Sequence, residues 1–211
     1  MEKLTPELVE QLAKLGVTEE ILDKTNNLKK ILAGNKTSLL NIRGKIPNFD
    51  IAGQAKLFIR NTAEGTPELR IELIRKYPDL NAPVYGVRLS DEQKAAVEKG
   101  ETVKITAATK NGDIDFLVSL DNETNQLNAV NVGRVYIQNE IAGIKLTDKQ
   151  KSILKQGGKV YLEKMKNRNG GEFNAYVTYN AAARGLIFLP EGKQEVKKSK
   201  KSQKIANDLP M

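Results

Sequence analysis

Apolar residues recur along this chain at two spacings, and the places where one gives way to the other mark its elements. Leu8, Leu12 and Leu15 share one face of a helix that Thr5 caps, Pro6 opens and Gly16 ends. Thr18 starts a second helix, and Leu28, Ile31 and Leu32 ahead of Gly34 read as the end of a third. Strand-like stretches then lie at residues 37–42, 54–60 and 68–75. Val103, Ile105 and Ala107 alternate with polar neighbours as a half-buried strand does, and Val160, Leu162 and Met165 take a similar part later in the chain.

The later stretches belong to an internal repeat. Gly86-Val87-Arg88-Leu89-Ser90-Asp91-Glu92-Gln93-Lys94 returns as Gly143-Ile144-Lys145-Leu146-Thr147-Asp148-Lys149-Gln150-Lys151. Gly100 then matches Gly157 and Val103 matches Val160; after a short gap residues 114–120 align with 173–179, and 127–130 with 186–189. In each copy Ser90 or Thr147 stands at an N-cap with Gln93 or Gln150 three positions on, the arrangement of a capping box. The helices carry Val97, and Ile153 with Leu154, on their apolar sides and stop at Gly100 and Gly157, because glycine adopts the left-handed C-cap without strain. Asn111-Gly112 and Asn169-Gly170-Gly171 supply hairpin turns between the next two strands, and a third strand follows near residues 126–130 and 185–189.

These elements predict an α+β protein: tandem units of a short helix followed by a three-stranded antiparallel β-meander, stacked to share a core, with an N-terminal helical segment. The division is 1–85, helical segment plus a diverged β unit; 86–142 and 143–190, the two repeat units; and 191–211, where apolar content collapses into a flexible basic tail.

Composition narrows the chemistry. There is no cysteine and no histidine, which removes disulfides, thiolate nucleophiles, Cys- or His-held metals and every Ser-His or Cys-His catalytic pair. The 34 Lys and Arg against 26 Asp and Glu leave a net charge of +8, which favours polyanionic partners, although charge of this size also serves solubility alone. With 5% aromatics and no tryptophan, a protein built on stacking many bases is not expected. No apolar run approaches the roughly 18–20 residues of a membrane span, so the expectation is a cytoplasmic protein with no membrane partner.

The segments Leu146-Thr147-Asp148-Lys149-Gln150, Val160-Tyr161-Leu162-Glu163-Lys164-Met165, Gly171-Glu172-Phe173-Asn174-Ala175-Tyr176-Val177 and Arg184-Gly185-Leu186-Ile187-Phe188 carry a resemblance. In them the chain resembles an uncharacterised repeat-domain family of Bacteroidetes proteins, often encoded on conjugative and other mobile elements. The portion with Leu15-Gly16-Val17 and residues 28–39 looks like the companion domain that commonly precedes it. The resemblance extends to about Pro190 and implies work beside DNA-processing genes, by analogy alone. The copy at Gly86 has Asn125-Gln126 where the other has Arg184-Gly185, so the role of Arg184 is not expected to occur twice.

The main basic constellation is the hairpin of the last unit, where Lys159, Lys164, Lys166, Arg168 and Arg184 interleave with Tyr161, Tyr176 and Tyr179. Simple alternation puts Lys164 and Lys166 on one face, where fixed positive groups and tyrosines suit a phosphate backbone. An ordinary solvated edge, whose lysines discourage strand pairing, reads equally well. Arg184 is suited to bidentate anion binding, yet an ion pair with Glu163 or Glu172 is the favoured reading. Lys197, Lys198, Lys200 and Lys201 in the tail would add salt-sensitive affinity for DNA or RNA, or only solubility. Asp113, Asp115 and Asp121 lack calcium-loop spacing, and phosphate-loop and dinucleotide fingerprints are missing, so no metal, cofactor or catalytic residue is predicted.

The leading expectation is a non-catalytic nucleic-acid-binding protein of a mobile element. A protein–protein adaptor or inhibitor acting through exposed strand edges is the alternative, and small-anion or nucleotide capture between repeats is the third.

Overall fold

Helix starts follow from side chains that satisfy otherwise unpaired backbone N–H groups. In the computed structural model, which describes residues 3–46, 49–62, 64–167 and 169–189, the helices are α1 (Pro6–Ala13), α2 (Glu19–Lys24), α3 (Leu28–Leu32), α4 (Asp91–Glu98) and α5 (Asp148–Lys155). The hydroxyls of Thr5 and Thr18 accept from Leu8 and Ile21, and both capping boxes are closed, Ser90 with Gln93 and Thr147 with Gln150. Ser90→Ala and Thr147→Ala are each expected to lower stability by about 1 kcal/mol. In a chemical-denaturation series the double variant should lose the sum, because the caps lie in separate units.

The strands form three antiparallel meanders. The first is β1 (Leu40–Ile46), β2 (Phe49–Asn61) and β3 (Pro67–Leu73); the second β4 (Val103–Thr109), β5 (Gly112–Asp121) and β6 (Gln126–Asn131). After the ladder β7 (Glu140–Ile141) and β8 (Ile144–Lys145) comes the third, β9 (Lys159–Lys166), β10 (Glu172–Asn180) and β11 (Gly185–Leu189). In each the middle strand pairs on both sides. The first unit is therefore a helix-plus-meander too, with α3 running through Gly34 into β1. Its strands are longer than residues 37–42 and 54–60, since Gly44 and Gly53 interrupt the apolar alternation without interrupting the ladder.

The repeat also starts earlier than Gly86 and Gly143. Val84 and Val87 form a bridge, Ile141 and Ile144 form another, and in between Tyr85-Gly86 and Ala142-Gly143 both take positive φ. Two consecutive left-handed residues are what a two-residue hairpin turn demands.

The two repeat units share a core, since Leu117, Val132, Val135, Ile137 and Ile141 of 86–142 pack into one buried cluster with the apolar face of 143–190. The first unit and the helix side of the second keep clusters of their own. Leu8, Leu12, Leu22, Ile31 and Leu57 centre the first; Val97, Ile105, Phe116 and Val118 the second; Leu154, Val160, Leu162, Met165 and Val177 the third. The joint lies in β5, buried on both faces from Phe116 to Asp121. Phe116 and Val118 face its own core, while Leu117 enters the third and Asp121 receives Lys56 of the first (2.7 Å). Beside that pair, buried Lys36 bonds Glu72 and Asn128, and Thr124 donates to Glu72. The first two units are thus joined by buried charges rather than apolar packing.

A candidate ligand cleft between the three units

The hairpin of the third unit departs from simple alternation. With Val160 and Leu162 inward, strict alternation would turn Lys164 and Lys166 into the core. A β-bulge prevents this: Ala175 pairs with Leu162 and Phe173 with Met165, so one strand carries an extra residue. Lys164 takes φ 55° and its N–H donates to Asn174 Oδ1 (2.9 Å). Met165 is thereby fully buried while both lysines are exposed. No sequence signal short of the mismatch between Leu162 and Met165 announces it.

The predicted basic constellation is only partly assembled. Tyr161 and Tyr176 are ladder partners with ring centroids 5.0 Å apart, on the same face as Lys159. The Lys159 ammonium is engaged by Glu101 of the preceding unit (2.6 Å), so it serves as an inter-unit tie. Tyr179 does not belong to this face; it is buried, and burial raises its pKa. Arg168, Lys197, Lys198, Lys200 and Lys201 lie outside the described residues.

Arg184 pairs with neither Glu163 nor Glu172. Its Nη1 donates to the Gly34 carbonyl at the end of α3 (2.9 Å), and its guanidinium sits 5.3 Å from the centre of the Phe58 ring. The expected local pair fails because the turn before β11 directs residue 184 across to the first unit. Burial lowers the pKa of Arg184 and nearby Arg60 lowers it further, against weaker opposition from Tyr179, Glu72 and Tyr85. Among the described residues no carboxylate lies within ion-pair distance of Arg184, Arg60 or Arg134. Glu68, opposite Arg60 in the ladder, turns to Arg70, and Glu72 is held by Lys36.

These three arginines line one cleft of about 740 Å³ where all three units meet. The end of α3, the end of β2 with Arg60 and Asn61, Asn131 at the end of β6, Arg134 in the 3-10 turn after it, and Tyr85, Tyr179 and Arg184 form its wall. A smaller recess of about 270 Å³ adjoins it across Arg60, Tyr85 and Arg184, with Phe58 and Asn128. No acidic side chain lines either. A half-buried guanidinium with one donor on a carbonyl and no counter-ion keeps free donors for an anion. Tyr85, 51% exposed, stacks on Phe116 with centroids 4.1 Å apart at 15°. The sequence offered one signal for the cleft, the Asn125–Arg184 difference between copies; Arg60, Arg134 and Tyr85 carried none.

Two family models match separate parts of the chain. Residues 139–191 match one described as a protein of unknown function (DUF3945), and residues 9–83 match another so described (DUF4099). No curated protein and no solved structure matches. The DUF3945-like segment holds β7 through β11, and the DUF4099-like segment holds nearly all of the first unit. The cleft draws Arg184 and Tyr179 from the former, Gly34, Arg60 and Asn61 from the latter, and Tyr85, Asn131 and Arg134 from the unit in between. Among the described residues no helix is long and apolar enough to cross a membrane.

Proposed function

We propose that this chain is a nucleic-acid-binding protein without catalytic activity, and that the cleft between its units makes the principal phosphate contact. The observation that carries this is the trio Arg60, Arg134 and Arg184 facing one cleft with no carboxylate beside them. Lys56, Lys104 and Lys159 are each held by a carboxylate, whereas these three arginines converge on one concave wall with none beside them. Focused cationic charge in a concave wall attracts a phosphate backbone with strong salt dependence. Lys164, Lys166 and the tail lysines would extend the contact, and a mobile-element setting, which the resemblance implies, would supply DNA as the partner. Capture of a single nucleotide is the second reading, favoured by a cleft volume within the usual range for small ligands.

Titration of a fluorescent oligonucleotide at two salt concentrations tests the proposal. Micromolar or tighter binding that weakens as salt rises is expected. Arg134→Gln, an exposed position with no described partner, should weaken it and lower the log–log salt slope by about 0.7–0.9. Arg184→Gln should do the same. Salt-independent behaviour, or an unchanged Arg134→Gln beside a Lys164→Gln/Lys166→Gln variant that loses binding, would remove the cleft from the interface.

A further inference from the structure

The two repeat copies differ most tellingly at the cleft. Tyr85 corresponds to Ala142, Phe116 to Ala175 and Asn125 to Arg184, by the matched turns and ladders. The aromatic stack of one copy is thus a pair of alanines in the other, and the asparagine of one is an arginine in the other. A left-handed backbone suits Asn well and strains a bulky residue. Tyr85 nevertheless holds φ 49° and Arg184 φ 52°, and both side chains line the same two recesses. Filling the second core does not require this, because Tyr85 remains 51% exposed over an already buried Phe116. Strain maintained where a side chain is left open marks positions shaped for a ligand.

We infer that the cleft takes single-stranded nucleic acid, with an unpaired base stacked on Tyr85 and the neighbouring phosphates on Arg184 and Arg134. Phe116 covers one face of the Tyr85 ring and fixes its plane, as a stacking platform requires. Arg184 is steadied in turn by Phe58 and the Gly34 carbonyl. A duplex keeps its bases inside its own stack and cannot present one to a ring within a recess. A strand rather than a free nucleotide is indicated by the second recess, which continues the wall past Arg60, and by arginines contributed from three separate units. One platform among few aromatics makes the contact local, consistent with the low aromatic content of the chain.

This inference rests on the binding function proposed above. It is tested with one oligonucleotide carrying 2-aminopurine, free and as a duplex, against the full chain, Tyr85→Ala, Tyr85→Phe and Arg134→Gln. Tyr85→Ala reproduces a turn this chain already forms at Ala142, and circular dichroism checks that it folds. The single strand is expected to bind at least about tenfold more tightly than the duplex, with the 2-aminopurine fluorescence quenched by stacking. Tyr85→Ala should weaken single-strand binding on the order of ten- to a hundredfold without changing the salt slope, and Tyr85→Phe should retain it. Folded Tyr85→Ala with unchanged affinity, or equal binding of duplex, overturns the inference. If Arg134→Gln still weakens binding in that case, the cleft as a phosphate site survives; if no nucleic acid binds at all, both readings fall. Displacement of the strand by micromolar adenosine monophosphate also overturns it, assigning the cleft to a free nucleotide.

Discussion

Gly44→Ala is expected to destabilise the protein by about 3 kcal/mol or more, a large effect for a single methyl group. Gly44 lies inside β1, where the chain passes directly over the end of α1. A Cβ there would stand 1.7 Å from the Lys14 carbonyl oxygen and 2.7 Å from its carbon. Both are backbone atoms, so no rotamer change relieves the contact. The Arg43 N–H donates to the Leu15 carbonyl at this crossing (2.9 Å), so moving the strand away would also break that bond. Gly185→Ala is the control: the nearest atom to its added Cβ is 3.9 Å away. A urea midpoint for Gly44→Ala equal to that of Gly185→Ala would show that α1 does not press on β1 as described.

The second large effect is expected at the junction of the first two units. Glu72→Leu should cost about 3–5 kcal/mol, because Lys36, with 5% of its side chain exposed, would keep a buried charge and lose its carboxylate. Thr124, which donates to Glu72 (2.6 Å), would lose its acceptor as well. Replacing both partners, Lys36→Met with Glu72→Leu, should recover most of the loss, since two apolar side chains leave no unpaired ion. The pH dependence has a definite sign. Burial lowers the folded-state pKa of Lys36, with Glu72 opposing, so removing Glu72 lowers it further. A lysine whose folded pKa lies below its unfolded value weighs against folding while charged, and that penalty fades as pH rises through the folded pKa. The Glu72→Leu deficit should therefore shrink from neutral pH toward the ordinary lysine value of 10.5. A deficit below about 1 kcal/mol, or no recovery in the double variant, would mean the pair is not confined by the interface as its burial indicates.

Local features were read correctly where neighbouring residues settle the geometry. Ser90 with Gln93 and Thr147 with Gln150 specify their own hydrogen bonds, and Gly100 and Gly157 end their helices at φ 81° and 80°. The bulge at Lys164 was missed, because a one-residue insertion leaves residue types unchanged and only the burial of Met165 reveals the phase shift. The partners of Lys159 and Arg184 were not legible for a related reason: Glu101 and the Gly34 carbonyl lie far from them in sequence, so the expected pair of Arg184 with Glu163 or Glu172 does not form.

By itself, then, the chain's sequence determined its repeating units, their capping and turns, its positive charge and the lack of histidine and cysteine chemistry. These depend on side chains a few residues apart and on composition, which folding does not alter. The tertiary structure alone decided that β5 is buried on both faces, that buried charges join the first two units, and which arginines share a cleft. Those outcomes depend on which surfaces meet, and Arg60, Arg134, Arg184 and Tyr85 become one site only when three separately capped units are packed together.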